Sequence, residues 1–353
     1  MYNFFLFLQK ISKFMRKYRR RPQRALVYMV ALGVVAVAAL GLIKRPCTGS
    51  SKEIFLPTGT TYGTLLDTLQ VNGFEHIEAI DIIGRLKKLD RNPKAGHYII
   101  PKGATAMQVV GMLRSGAQKP VRLTFNNTRT LADLAGRIGG QIEADSATLY
   151  AHFTNKNTAK KYNLKSEELI GLFIPNTYEV WWNISPEALT DRMAREWDKF
   201  WNEDRTAKLA RTKLSKMEVI TLASIVYEET KNVGEMPKIA GVYINRLRRR
   251  MPLQACPTAK YAIGDFSIKR VLHKHTQVDS PYNTYKYRGL TPGPICTPSI
   301  AAIDAVLDYT DHKYTYFCAR EDFSGRHYFS STLTEHNRYA KRYADALRKA
   351  GIR

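Results

Sequence analysis

Leu222-Ala223-Ser224-Ile225-Val226-Tyr227-Glu228-Glu229-Thr230 brings a carboxylate to the end of an apolar run. An acid held half out of water at such a place has its pKa raised by desolvation, into the range where it can both give and take a proton. Ser215-Lys216-Met217-Glu218 has the Ser-x-x-Glu form of a capping box, so a helix is expected to start there. At about 100° per residue, Val219, Leu222, Ala223 and Val226 share a side and Glu229 falls at its margin. Glu228 then points the other way, toward solvent. Glu229 is therefore the candidate acid and base, and Glu228 is expected on the surface.

The segments that follow are rich in uncharged polar and aromatic groups. Val242-Tyr243-Ile244-Asn245-Arg246-Leu247 reads as a helix, and 251–258, which contains Leu253-Gln254-Ala255-Cys256-Pro257-Thr258, reads as a turn. Ser280-Pro281-Tyr282-Asn283-Thr284-Tyr285 and 289–295 read as loop. Aromatic faces for ring CH groups, with amides and hydroxyls for ring hydroxyls, suit a saccharide. Asn245, Gln254, Tyr282, Asn283, Thr284 and Tyr285 are accordingly the expected cleft lining. The four cysteines, Cys47, Cys256, Cys296 and Cys318, show no Cys-x-x-Cys or Cys/His ligand spacing, so no metal site is expected. Their spacing leaves any disulfide pairing open.

The elements that must carry this chemistry follow a marked N-terminus. Residues 1–24 hold eight Lys and Arg and no acid, and 25–43 are nineteen residues without a charge. As a helix this run would be about 28 Å long, close to the hydrocarbon thickness of a bilayer. The basic flank lies on its N-terminal side, so 1–24 is expected in the cytoplasm, 25–43 as a single membrane-spanning helix, and the rest outside the cytoplasm. Residues 44–47, Lys-Arg-Pro-Cys, offer no signal-peptidase or lipoprotein cleavage pattern. The 55 Lys and Arg outnumber the 31 Asp and Glu, for a net charge of +24; without the tail the excess is still 16, 47 against 31. A basic ectodomain beside a membrane favours an anionic wall or lipid surface. No zinc-finger spacing or ribonucleoprotein-type aromatic signature indicates nucleic acid.

Beyond the anchor, 44–118 read as a small α+β module: a strand at 54–56, a helix starting near Thr61, a strand at 95–100 and a helix over about 106–114. Residues 119–353 read as a second, mixed α+β domain. It opens with a strand at 121–125, then helices near 130–139, 145–154 and 186–203, the Glu229 helix, a helix at 239–248, and a polar basic helix from about Thr332.

These motifs, taken in order, resemble the MltG-type (YceG-like) endolytic transglycosylases of bacterial cell walls. The resemblance rests on Ala-Ser-Ile-Val followed by Glu229-Thr230, then Asn245-Arg246-Leu247, Leu253-Gln254 with Pro257-Thr258, Tyr282-Asn283-Thr284-Tyr285 and the Gly289–Ile295 turn. Gly171-Leu172-Phe173-Ile174-Pro175-Asn176-Thr177-Tyr178 is similar to a further family segment. Ala95–Tyr98 with Met112–Gly116 is similar to the family's N-terminal LysM-like part. Cys256, Asn176 and Thr291 depart from the family pattern, which has Asp, Asp and Pro there.

The resemblance implies an inner-membrane enzyme with one anchor, a LysM-like module and a YceG-like catalytic domain. It would cut the MurNAc-β-1,4-GlcNAc bond within peptidoglycan glycan strands. Glu229 would protonate the leaving oxygen, then take the proton of the muramyl 6-hydroxyl as that hydroxyl closes a 1,6-anhydro ring. One carboxylate suffices for this, unlike the acid pair of common glycosidases. No cofactor is implied, and membrane-bound wall-synthesis polymerases are the implied neighbours. The rival readings are a membrane-anchored peptidoglycan-binding protein without catalysis and a two-acid hydrolase.

Overall fold

Alternation of apolar residues in Lys52–Leu56 (β1) and Gly96–Ile100 (β2) buries Ile54, Leu56, Tyr98 and Ile100 on one side of an antiparallel pair, in the register Ile54 opposite Tyr98. The computed structural model describes residues 26, 27, 29–31, 33, 34, 41, 44–268 and 271–351. The basic tail and most of the apolar run 25–43 lie outside the described residues. Among the described residues no helix is long and apolar enough to cross a membrane.

The chain forms two compact units: one runs to Pro120 and adds Trp181–Asn183, the other holds Val121–Val180 and Ile184–Arg353. In the first, β1 and β2 are joined by two helices, Tyr62–Val71 (α1) and Ile77–Leu86 (α2), and followed by Ala106–Ser115 (α3). Thr61 caps α1, and a Thr105–Gln108 capping box opens α3. Leu65, Leu69, Ile80, Ile83, Val109 and Leu113 close the core over the two strands. The helix α2 has no counterpart in the sequence reading. It starts from His76 in a left-handed conformation with no side-chain cap, so the usual start signal is missing.

The second unit has two cores. In the first, Val121–Phe125 (β3) pairs antiparallel with Asn176–Val180 (β4), with Leu123 opposite Tyr178. Leu131–Gly139 (α4), Ser146–Thr154 (α5), Lys156–Lys161 (α6) and Pro186–Phe200 (α7) enclose Phe125, Phe153, Phe173 and Leu189. In the second, Glu203–Thr212 (α8), Lys216–Glu229 (α9), Met236–Arg248 (α10), Cys256–Ile263 (α11) and Ile300–Leu307 (α12) pack together. The hairpin Tyr316–Ala319 (β5) and His327–Ser330 (β6) and the helix Leu333–Lys349 (α13) complete the chain. Trp197 touches both cores.

The helix α9 differs from the one-sided stripe expected of it. All eight residues from Val219 to Val226 are buried, so it runs through the core rather than along its edge. Periodicity cannot assign an inward face to such a helix. Residues 256–258, expected in a turn, instead open α11, with Pro257 in its first turn, where the missing N–H costs nothing. The hairpin β5–β6 and the separate helix α8 were not expected from the sequence.

Candidate active site

Ser215 starts α9 as expected: its hydroxyl accepts from the Glu218 N–H at 3.2 Å, and the Glu218 carboxylate accepts from the Ser215 N–H at 2.7 Å. The helix ends as Thr230 turns extended, and Thr230 Oγ1 accepts from the Asn232 N–H at 3.1 Å. This stop leaves Glu229 at the last helical position, with α10 returning beside it. Gly241 permits the close approach of α10 to the 310–312 loop, since a Cβ there would collide with the Thr310 carbonyl. Inside α9, Ser224 Oγ accepts from the Ile295 N–H at 3.0 Å and donates to the Thr221 carbonyl at 2.7 Å, which ties the 289–297 loop to the helix.

Tyr243 of α10, fully buried, donates its phenol to Glu229 Oε1 at 2.7 Å. Arg246, one turn further, is 7% exposed. It donates to the carbonyls of Thr315 at 2.6 Å and Leu253 at 2.7 Å, locking α10 to the turn before α11 and to the start of β5. Burial raises the Glu229 carboxyl to about 7. The Tyr243 bond and the charges of Arg246 and Lys260 pull it back down, and Glu228 pushes it up slightly. Tyr243 in turn is pushed well above its ordinary range by burial and by Glu229, so it stays a donor.

Two cavities meet at Glu229. One, about 390 Å³, is lined by Glu229, Tyr243, Gln254, Tyr285, Tyr316 and His336 among others. The other, about 190 Å³, is lined by Arg129, Glu228, Glu229, Lys260, Tyr261 and Phe266 among others. Glu229 and Cys256 belong to both walls. Arg129 and Phe266 also line a third cavity of about 700 Å³, so the depressions follow one another along the surface. A carboxyl near neutrality between two depressions can protonate a leaving oxygen bound on one side and serve as base to a hydroxyl on the other.

Residues 54–342 match the YceG-like family. The chain belongs to this family. It is 32% identical over 269 residues to the endolytic murein transglycosylase of Bacillus subtilis, covering 71% of this chain and 73% of that protein. It is 28% identical over 333 residues to the endolytic murein transglycosylase of Streptococcus pneumoniae, covering 83% of this chain but only 59% of that longer protein. A crystal structure of a YceG-like protein from Listeria monocytogenes superposes with a TM-score of 0.54 at 26% identity, over 82% of this chain and 99% of that one.

The residues singled out from the sequence divide into those that line a cavity and those that do not. Glu229, Gln254 and Tyr285 line a common cavity. Tyr282 stands behind the wall, its ring 4.7 Å from that of Tyr261. Asn245, Asn283 and Thr284 are not brought to either cavity wall. The Asn245 amide donates to the carbonyls of His312 at 2.6 Å and Tyr314 at 2.9 Å. The Asn283 amide donates to Thr276 and Val278, and its oxygen accepts from the Tyr285 N–H. Thr284 Oγ1 accepts from the Ala255 N–H at 3.0 Å and lies 2.7 Å from Thr258 Oγ1. These three hold loops, and Thr284 in particular fastens the Gln254–Cys256 turn next to Tyr285.

The assignment of Glu228 to the surface is corrected. Its side chain is 13% exposed and lines the smaller cavity, paired with Arg129 at 2.8 Å and Lys231 at 3.6 Å. Because α9 is buried all round, facing away from one core surface does not mean facing water. Sequence reasoning also passed over Tyr243 and Arg246 as site residues, though both sit in the motif it quoted, and it gave no role to Arg129, some hundred residues upstream. All four cysteines are free; Cys256 Sγ lies 3.0 Å from the Tyr285 hydroxyl, and burial raises its thiol.

Proposed function

We propose that this protein is a lytic transglycosylase that cuts peptidoglycan glycan strands internally, between N-acetylmuramic acid and N-acetylglucosamine, and leaves 1,6-anhydro ends. The observation that carries the reading is Glu229: one carboxyl raised to about 7, held by Tyr243, in the wall shared by two cavities. Glu229 enters protonated and gives its proton to the glycosidic oxygen as that bond to C1 breaks. The resulting carboxylate takes the proton of the muramyl 6-hydroxyl as its oxygen bonds to C1. The proton count closes on the enzyme, and no water is consumed.

Tyr243 acts through Glu229, orienting the carboxyl and stabilising it once ionised. Gln254 and Tyr285 contact sugar in this reading, which their position in the same cavity wall as Glu229 supports. Glu228, the other carboxylate in these two cavity walls, is engaged by Arg129 and Lys231, which weighs against a two-acid hydrolase. The succession of cavities on both sides of Glu229 supports cutting within a strand rather than at its end.

The endolytic murein transglycosylases it resembles act, by name, on the cell wall, and the same location outside the cytoplasm is proposed here. The basic tail and apolar run 25–43 support a single-pass anchor in the inner membrane, with the LysM-like module over 44–118 between anchor and enzyme. Wall-synthesis polymerases are proposed neighbours on the same ground. Digestion of purified peptidoglycan, read by mass, tests the reaction. Transglycosylation adds no water to the sum of the products, whereas products heavier by one water per cut would identify a hydrolase.

A further inference from the structure

The cavity of about 390 Å³ has a wall that neither the mechanism nor the sequence motifs use: the first turns of α13. Leu333, His336 and Asn337 lie at i, i+3 and i+4, and so form one face of that helix against the cavity. We propose that this cavity seats an N-acetylhexosamine ring of the glycan strand and that His336 and Asn337 recognise its polar groups. The inference rests on the reading of the protein as a glycan-cutting enzyme and adds a binding subsite, some hundred residues beyond Glu229 in the chain, that closes the cleft on one side.

The chemistry of the wall points to a neutral sugar. Tyr285 supplies aromatic surface for ring CH groups. The His336 imidazole stacks on Tyr316, with ring centres 5.3 Å apart and planes 26° from parallel, which fixes its orientation. The imidazole makes no side-chain hydrogen bond among the described residues; Nδ1 is covered, which leaves Nε2 as the nitrogen open to a ligand. Burial, and the charge of Arg246, lower its pKa, so near neutral pH the ring is uncharged and Nε2 serves as donor or acceptor according to the tautomer. Asn337 is exposed, and its carboxamide makes no hydrogen bond among the described residues. One amide and one neutral imidazole match the acetamido and hydroxyl groups of an N-acetyl sugar.

An anionic ligand fits less well on this side. The cation in this wall, Arg246, is buried and already donates to the carbonyls of Thr315 and Leu253. Free cationic character lies instead across Glu229, where Lys260 lines the smaller cavity.

The test uses full-length protein carrying Glu229→Gln, so that strands bind without being cut, with chitotetraose as a neutral N-acetylhexosamine probe and calorimetry as the readout. Asn337→Ala is expected to weaken binding about 5- to 20-fold, roughly one lost hydrogen-bonding group. His336→Phe keeps the stack on Tyr316 but removes the open Nε2, and is expected to weaken binding similarly with an unchanged melting temperature. Arg338→Ala, on the neighbouring exposed face, serves as the control and should bind as the parent does. Unchanged affinity in both Asn337→Ala and His336→Phe overturns the subsite. In the wild-type background the same two variants should raise KM more than they lower kcat for release of anhydro ends. If the wild type yields no anhydro ends while chitotetraose binding still depends on Asn337 and His336, the catalytic reading fails and the subsite stands.

Discussion

Tyr243, fourteen residues after Glu229 and on the next helix, donates its phenol to Glu229 Oε1 at 2.7 Å from a fully buried position. The bond favours the ionised carboxylate, while burial favours the neutral acid. Their balance, about 7, lets one group act first as acid and then as base near neutral pH.

Removing the phenol should therefore move the balance upward. In Tyr243→Phe the Glu229 pKa rises above about 7, and the alkaline limb of kcat/KM, which marks loss of the proton needed in the first half of the reaction, moves to higher pH. The maximal kcat falls, because the carboxylate that must accept the 6-hydroxyl proton has lost a donor. A pH profile of anhydro-end release for both proteins reads this, and an alkaline limb that stays in place would show that the bond does not tune the acid.

The raised pKa also has a consequence for stability. Glu229 titrates near 4.5 when unfolded and near 7 when folded, so the folded state holds the proton more tightly. The stability this contributes is fully present below pH 4.5 and is lost as pH rises through 7. Glu229→Gln does not titrate, so its stability relative to wild type should climb between those values and then level off. The gain is at most about 3 kcal/mol. Urea denaturation at several pH values measures it; a difference independent of pH is inconsistent with a desolvated acid.

Glu228 should separate from its neighbour. Breaking its pair with Arg129 in Glu228→Gln is expected to cost about 1 to 2 kcal/mol of stability, since the glutamate is nearly buried and the arginine is not. Anhydro-end release should persist, with the alkaline limb shifted slightly toward acid, because Glu228 raises the Glu229 pKa. Complete loss of cutting in a folded Glu228→Gln protein would mean that the proton passes through the wrong carboxylate in the mechanism given above.

Thr284 is expected to matter by holding rather than touching. Thr284→Val keeps the volume but leaves the Ala255 N–H and the Thr258 hydroxyl without that partner, at a cost of about 1 to 3 kcal/mol. The Gln254–Cys256 turn then loosens beside Glu229, and kcat/KM should fall while the alkaline limb stays put. Thermal melting with a pH profile distinguishes this from direct sugar contact, for which stability would be unchanged.

Much of the site could be read from the chain because its signals are local. The Ser215 capping box and the Glu229-Thr230 stop fix both ends of α9, and the ordered motifs from Ala223 to Ile295 carry the family. What could not be read is where polar groups point. Asn245, Asn283 and Thr284 have the composition of a sugar site, yet their hydrogen bonds go to backbone and loop partners. An amide that contacts substrate and one that satisfies a carbonyl look alike in sequence. Glu228 was misplaced because a helix buried on every side has no polar face to mark its phase. Arg129 and His336 come from distant elements, α4's leading loop and α13, and only the tertiary fold brings them to the cavities.

The most direct measurement is digestion of purified peptidoglycan by the wild type and by Glu229→Gln, with circular dichroism to verify the fold of each and mass spectrometry to read the products. The expected result is 1,6-anhydro-ended fragments from the wild type and none from a fully folded Glu229→Gln protein. Equal release of anhydro ends by the two proteins would contradict the role assigned to this carboxyl.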